Sequence, residues 1–329
     1  LKEAINKGML VPFHYYGVYD ETDYSGLRIV KGRYDEQELN QAYIGNERRY
    51  DLIYKYYRKY RSLRAIGFCC SRQHAEDMAK EFCQRGIASA AVYSGENGAY
   101  AEERNEAIRK LKNGEIRVIF SVDMFNEGVD IASLDMVMFL RPTESPVVFL
   151  QQLGRGLRKA PGKEYVVILD FIGNYNNNFM IPVALSGDRS YNADVIRKYV
   201  ISGNSTIPGA STVHFDEISK DKIFKSIDKI KGMKTLIKES YVSMKNRLGR
   251  VPLLYDFYEN QEIDPLVIIK EYKTYYAFMQ AMEKDKYKNG LNEQEKLTLE
   301  YLSKTILTGV RPDELAILSQ LLYRDHIGV

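Results

Sequence analysis

Tryptophan is absent from the 329 residues, and cysteine occurs three times. Cys69, Cys70 and Cys83 are odd in number, lack metal-ligand spacing, and two of them are adjacent within an apolar run. That pattern argues against a disulfide framework or a zinc site, and reduced core thiols are expected instead. No stretch approaches the ~20 consecutive apolar residues of a membrane span, and no cleavable signal pattern opens the chain. A cytoplasmic location, with no membrane partner, is the expectation. Charge of one sign is also lacking: 47 Lys and Arg against 44 Asp and Glu leave a net +3, too little to identify a partner. The phosphate-binding pattern G-x-x-x-x-G-K-[ST] occurs nowhere. "PGKE" at 161 to 164 has neither the glycine loop nor the hydroxyl that Mg²⁺ needs. The chain opens at Leu1 rather than Met, so a piece of a longer polypeptide is expected.

What is present is length enough for two domains, 26 tyrosines, and a clear alternation of short apolar runs with amphipathic segments. "RAIGFCC" (64 to 70), "IASAAVYSG" (87 to 95), "IRVIFSV" (116 to 122), "LDMVMFL" (134 to 140) and "EYVVILDF" (164 to 171) read as buried strands. After the first of them, Ala75, Met78, Ala79 and Phe82 fall at the spacing of one helix face, with Ser71 able to cap its start and Gly86 its end. Near-continuous apolar strands separated by such helices imply a parallel sheet covered on both faces, an α/β domain. Residues 1 to 60 read as an appendage: a strand in "MLVPFHYYGVYD", then helix through "DEQELNQAYIGNERRYDLIYKYYRKYRSLR". "SGNSTIPGAST" (202 to 212) marks a linker. From 213 to 329 only helical periodicity is evident, so a smaller all-α domain is expected there.

The run "FLQQLGRGLRK" (149 to 159) carries the most specific chemistry. A helix is expected to start with Ser145 as cap and Pro146 at its first position. At 100° per residue Val147, Leu150, Gly154 and Leu157 share one face, while Gln151, Arg155 and Arg158 form a separate stripe. Gly154 and Gly156 each cost about 1 kcal/mol relative to Ala inside a helix. Their presence implies close approach to another surface or an early helix end.

"QQLGRGLR" resembles motif VI of superfamily 2 helicases, Q/H-x-x-G-R-x-x-R. "VDMFNEGVDI" (122 to 131) is similar to motif V, and "AIGFCCSRQHAEDMAKEF" is similar to motif IV. Their order and spacing look like the second RecA-like lobe of such motors, over roughly residues 60 to 172. "FNEGVDI" and "LRPTES" are similar to restriction-type relatives in particular. The resemblance implies a RecA-like parallel sheet whose ATP and Mg²⁺ are held mainly by a first, N-terminal lobe that these residues do not include. It implies Arg155 and Arg158 as arginine fingers, a device contributing on the order of 10³ to 10⁵ in rate. Gln151 would orient the γ-phosphate or couple it to the first lobe, and Glu127, Gly128 and Asp130 would lie beside the nucleotide. Val122 departs from the threonine that many relatives use on the nucleic-acid backbone, with Ser121 as its neighbour. DNA is the implied polymer, RNA being admitted by the same motifs, and its contacts fall on Ser71, Arg72, Ser94, Gly95 and Ser121. No metal ligand set is expected in this chain itself.

Two further segments compete with bland readings. "YDETDY" places Asp20, Glu21, Thr22 and Asp23 in the D-E-x-D order of a Walker B motif, but stands about 40 residues before motif IV. It reads better as a charged turn where the first lobe ends, residues 1 to about 20 being that lobe's last remnant. "YDLIYKYYRKYRSLR" (50 to 64) interleaves tyrosines with Lys55, Arg58, Lys59, Arg61 and Arg64, a pattern equally suited to nucleic acid or to a buried helix face. Residues 220 to 250 hold ten Lys or Arg against three Asp or Glu, with Ile223, Ile227 and Ile230 as an apolar stripe. "LGRVP" there is similar to a turn in helical modules appended to bacterial helicases. The expected domains are thus 1 to 60, 61 to 205 and 213 to 329. The expected function is the C-terminal part of an ATP-dependent DNA helicase or translocase, inactive as an isolated chain. The alternative is a non-catalytic RecA-like adaptor that binds nucleic acid or a partner protein through its basic tail.

Overall fold

The five apolar runs all become short strands in the computed structural model, which describes residues 2–30, 33–95, 98–122, 131–143, 145–174, 178–188, 190–202, 211–228, 232–260, 263–287 and 290–307. They are β4 (Ala65–Phe68), β5 (Ser89–Val92), β6 (Val118–Ser121), β7 (Met136–Phe139) and β8 (Val166–Ile172). Two more strands join them, β1 (Phe13–Tyr19) and β9 (Thr212–Phe215). The seven lie in the order β5-β6-β4-β7-β8-β1-β9 and every pairing is parallel. A two-stranded antiparallel pair, β2 (Ile29–Val30) with β3 (Arg33–Tyr34), stands apart.

Side-chain alternation then assigns the layers. Met136, Met138, Val167, Leu169 and Phe171 join one apolar cluster with α3 (Glu47–Tyr60) and α4 (Arg72–Gln84). Phe139 points the other way and stacks on Phe149 of α6 (Pro146–Gly156), ring centroids 4.5 Å apart. The expected face of α4 is fully buried, and Ser71 caps it by accepting from the His74 N–H at 3.0 Å. Tyr50, Ile53 and Tyr57 of α3 are also buried, so the tyrosines of "YDLIYKYYRKYRSLR" serve the core while Lys55, Arg58 and Lys59 face solvent.

The structure corrects three expectations. Residues 13–19 are no remnant of another lobe: β1 sits between β8 and β9, and each residue from Phe13 to Tyr19 has a β8 partner. The linker at 202 to 212 does not end the sheet, because Thr212–Phe215 pairs with β1. Four residues, of which only Val213 and Phe215 are buried, are too short a signal to stand out. The apolar stripe Ile223 and Ile227 is buried in α9 (Glu217–Asp228), which belongs to the same unit, Leu1–Ile230. The second unit accordingly starts at Lys231 rather than at 213. Two helices after residue 172, Met180–Ser186 and Ala193–Ser202, were hidden among polar turns.

The described elements of the second unit, Lys231–Val329, are all helices: Met233–Leu248, Leu254–Glu259, Pro265–Tyr272, Tyr275–Met282 and Glu293–Tyr301, the last continuing as a π-turn. Its core gathers Ile237, Tyr241, Met244, Phe257, Ile268 and Phe278. In "LGRVP", Arg250 makes a two-pronged bond to Asp256 at 2.7 Å for each prong, so this arginine fastens its own turn.

Candidate functional site

In a parallel sheet the ligand crevice lies beyond the carboxyl ends of the strands, where the chain switches from one side of the sheet to the other. Here that point is between β4 and β7: the chain leaves β4 for β5 and β6, and leaves β7 for β8. At these strand ends the side chains of a buried network meet. The Arg49 guanidinium binds Asp20, just past β1, at 2.8 Å, and donates to the Leu140 carbonyl, just past β7, at 2.9 Å. It also stacks over Tyr43 at 3.9 Å, and Tyr43 shares a 2.7 Å hydrogen bond with Tyr24. Burial opposes the charge on Arg49, but Asp20 and the two tyrosines more than offset it and leave its pKa above the ordinary value. Burial and then Arg49 push the pKa of His74 well down, so that ring is neutral. In "YDETDY", Asp20 is thus paired with Arg49 and also accepts from Thr22, and Asp23 accepts from Ser25 and Asn174.

Four of the five residues expected to face nucleic acid line one open cleft of about 450 Å³, with Glu36, Tyr93 and Val122: Ser71, Arg72, Ser94 and Gly95. Gly95 has φ +110°, and a Cβ there would stand 2.4 Å from the Arg72 guanidinium, so glycine is what lets Arg72 lie across the loop. Glu76 braces the same loop, accepting from Tyr93 Oη at 2.7 Å and the Tyr100 N–H at 3.0 Å. Two of the expected contacts change character. The Ser71 side chain is buried, with its hydroxyl committed to the His74 N–H and to Asn40. Ser121 is wholly buried at the end of β6, and its hydroxyl makes no hydrogen bond among the described residues. Arg72, Ser94 and Gly95 remain the open positions.

The helix α6 begins at Pro146 and runs antiparallel to the strands, as a crossover between parallel neighbours must. Its buried face is Phe149, Gln152, Leu153, Gly156 and Leu157, rotated by one position from the expected Val147, Leu150, Gly154 and Leu157. The physical reason is Gly156: a Cβ there would lie 2.8 Å from Val137 and 3.0 Å from Val166, so this residue, not Gly154, meets the sheet. A Cβ on Gly154 would meet nothing within 4 Å. The rotation leaves Gln151 exposed and Arg155 half-buried, with Arg158 exposed just beyond the helix end. Val137 and Val166 stand near the starts of β7 and β8, so both arginines lie toward the amino edge of the sheet, away from the cleft at its carboxyl edge. Glu127, Gly128 and Asp130 lie outside the described residues.

With this geometry in place, the comparisons with known proteins are specific. Residues 48–160 match the helicase conserved C-terminal domain, and residues 237–329 match a domain of unknown function (DUF8090). The chain is 31% identical over 172 residues to a 51.5 kDa protein of a Lactococcus phage, covering 52% of this chain and 37% of that protein. It is 34% identical over 115 residues to the ATP-dependent DNA helicase mph1 of Sclerotinia sclerotiorum, covering 33% of this chain and 9% of that protein. It is 30% identical over 130 residues to the ATP-dependent RNA helicase SrmB of Haemophilus influenzae, covering 38% and 29%. The chain thus spans well under half the length of each relative. Residues 48–160 are thus a helicase conserved C-terminal domain built on a RecA-like parallel sheet, and a helical region that carries the DUF8090 match follows.

Among the residues that sequence reasoning missed are Asp20 and Arg49 as a structural pair, Glu76 as the loop brace, and Lys163. Lys163 lies in "PGKE", which is not a phosphate loop. The Pro-Gly before it was the available signal, since that pair marks a tight turn.

Proposed function

We propose that the chain supplies the second motor lobe of an ATP-dependent DNA helicase or translocase, completing an ATP site whose phosphate loop and Mg²⁺ ligands belong to a separate N-terminal lobe. The observation that carries this reading is the placement of α6: Gly156 packs on the sheet, while Gln151 is exposed, Arg155 is half-buried near the helix end and Arg158 is exposed just beyond it. Two cations and an amide gathered in the last turns of this helix and just past its end suit stabilisation of charge developing on a transferring γ-phosphoryl group. Arg155 and Arg158 act there as fingers, and Gln151 orients the phosphate. ATP and Mg²⁺ act only when both lobes are present.

The polymer runs over the other end of the sheet, across Arg72, Ser94 and Gly95. A separation of nucleotide-facing and strand-facing edges on one lobe is what allows closure around ATP to move the strand. DNA is preferred over RNA on the strength of the restriction-type motif resemblance and the mph1 match, SrmB being the counterweight. The experiment is to assay this chain alone and joined to a lobe bearing a phosphate loop, with DNA and RNA as stimulants. No appreciable hydrolysis alone and DNA-stimulated hydrolysis when joined is the expected result. Robust turnover by the chain alone would remove the shared-site assignment, and stimulation by RNA only would replace the substrate.

A further inference from the structure

We propose that Lys163 is a positioning residue that fixes the arginine-bearing turn at the end of α6 to the segment leaving motif V. A helix end leaves its last carbonyls without intrahelical partners, and these must be satisfied from elsewhere. Three consecutive carbonyls at this end are. Gly156 and Arg158 accept from the Lys163 ammonium at 2.5 and 3.0 Å, and Leu157 between them accepts from the Val11 N–H at 2.8 Å. The third ammonium proton goes to the Ala132 carbonyl at 2.9 Å. Ala132 stands one residue past the end of "VDMFNEGVDI", the motif V segment.

Local sequence places the side chain there. Ala160, Pro161, Gly162 and Lys163 form a tight turn, closed by the Lys163 N–H to the Ala160 carbonyl at 3.1 Å. Pro161 occupies the second position, and Gly162 has φ +73° at the third, the pattern of a type II turn. The chain therefore doubles back, and Lys163 reaches the carbonyls that its own polypeptide has just left behind. A cation at a helix C-terminus is also favoured by the helix dipole. Burial pushes the Lys163 pKa down to about 8, with Asp135 pulling the other way, so at neutral pH all three protons are still present for three acceptors. A neutral side chain of the same length cannot make this set.

Arg158 lies just past the helix end, and Lys163 holds its main-chain carbonyl directly. This role rests on the reading of Arg155 and Arg158 as fingers, whereas the clamp itself does not. The test uses Lys163→Met, which keeps the stem and removes the donors. In this chain, hydrogen exchange of the peptide spanning 154 to 163 should rise at least about tenfold while β4 to β7 stay protected. In the polypeptide joined to a phosphate-loop lobe, kcat should fall about 10- to 100-fold with KM for ATP within about twofold. Should the Met variant fail to fold, Lys163→Gln, which retains two donor protons, is read in the same way and should show a smaller loss. Unchanged exchange overturns the clamp. Raised exchange with unchanged kcat, in a preparation where Arg155→Ala is inactive, overturns the positioning role. If Arg155→Ala is itself fully active, the finger reading and with it the positioning role fail, and the raised exchange identifies that as the cause.

Discussion

Arg49 and Asp20 meet at 2.8 Å, and their side chains are only 1% and 2% exposed. They join the end of β1 to α3, and through Leu140 to the end of β7. A buried pair of this kind adds little over well-packed apolar residues, because desolvation offsets attraction, but breaking it strands a charge. Arg49→Ala should cost about 3–5 kcal/mol, measured by urea unfolding. Arg49→Met combined with Asp20→Leu should cost much less. Equal losses in the single and double variants would show that packing, not the stranded carboxylate, dominates.

Asp170, buried on β8, should give the stability curve a pH dependence. Burial pushes its pKa up to about 7 from 3.8, with the hydrogen bond from Tyr15 at 2.7 Å pulling the other way. Between about pH 4 and 7 the folded chain keeps a proton that the unfolded chain has lost, so this contribution is largest at low pH and falls as pH rises through that window. Asp170→Asn carries no such proton. Its stability relative to the parent should climb by roughly 1.4 kcal/mol per pH unit across the window and level off above it. A difference that is flat with pH would contradict the raised value.

The two glycines of the motif VI helix should respond in opposite directions. Gly156→Ala forces a methyl against Val137 and Val166 and should destabilise by about 1–3 kcal/mol. Gly154→Ala meets nothing within 4 Å among the described residues and should stabilise the isolated chain by about 0.5–1 kcal/mol through helix propensity. If Gly154 lies against the companion lobe, the same variant should lower ATP turnover once the lobes are joined. Thermal melting and turnover assays together separate the two effects.

Arg72→Ala should weaken binding of single-stranded DNA and reduce the slope of log K against log salt by about 1, as loss of one phosphate contact does. A weaker Kd with an unchanged slope would assign Arg72 to loop bracing over Gly95 instead.

Much of this was legible in the sequence because each long signal had its own period. The five strands, the α4 face at Ala75, Met78, Ala79 and Phe82, and the order of motifs IV, V and VI all emerge from apolar spacing and residue type. What escaped detection was non-local. β1 is adjacent to β8 across about 150 residues of chain, and nothing in "PFHYYGVYD" states its neighbour. β9 is too short to register, and its pairing with β1 extends the first unit. The α6 face was misjudged by one residue because Gln152, a polar side chain, is buried, and because a glycine on a packed face carries no apolar signal. Lys163 could not be ranked from sequence, since its partners are main-chain carbonyls, which look alike at every position.

The most direct test of the central claim is the rate of ATP hydrolysis by Arg155→Ala in the two-lobed polypeptide, measured beside nucleotide affinity. The expected result is a fall of about 10³- to 10⁵-fold in kcat, with melting temperature and most of the ATP affinity retained. An unchanged kcat would contradict the account, because Arg155 would then act on no transferring phosphate.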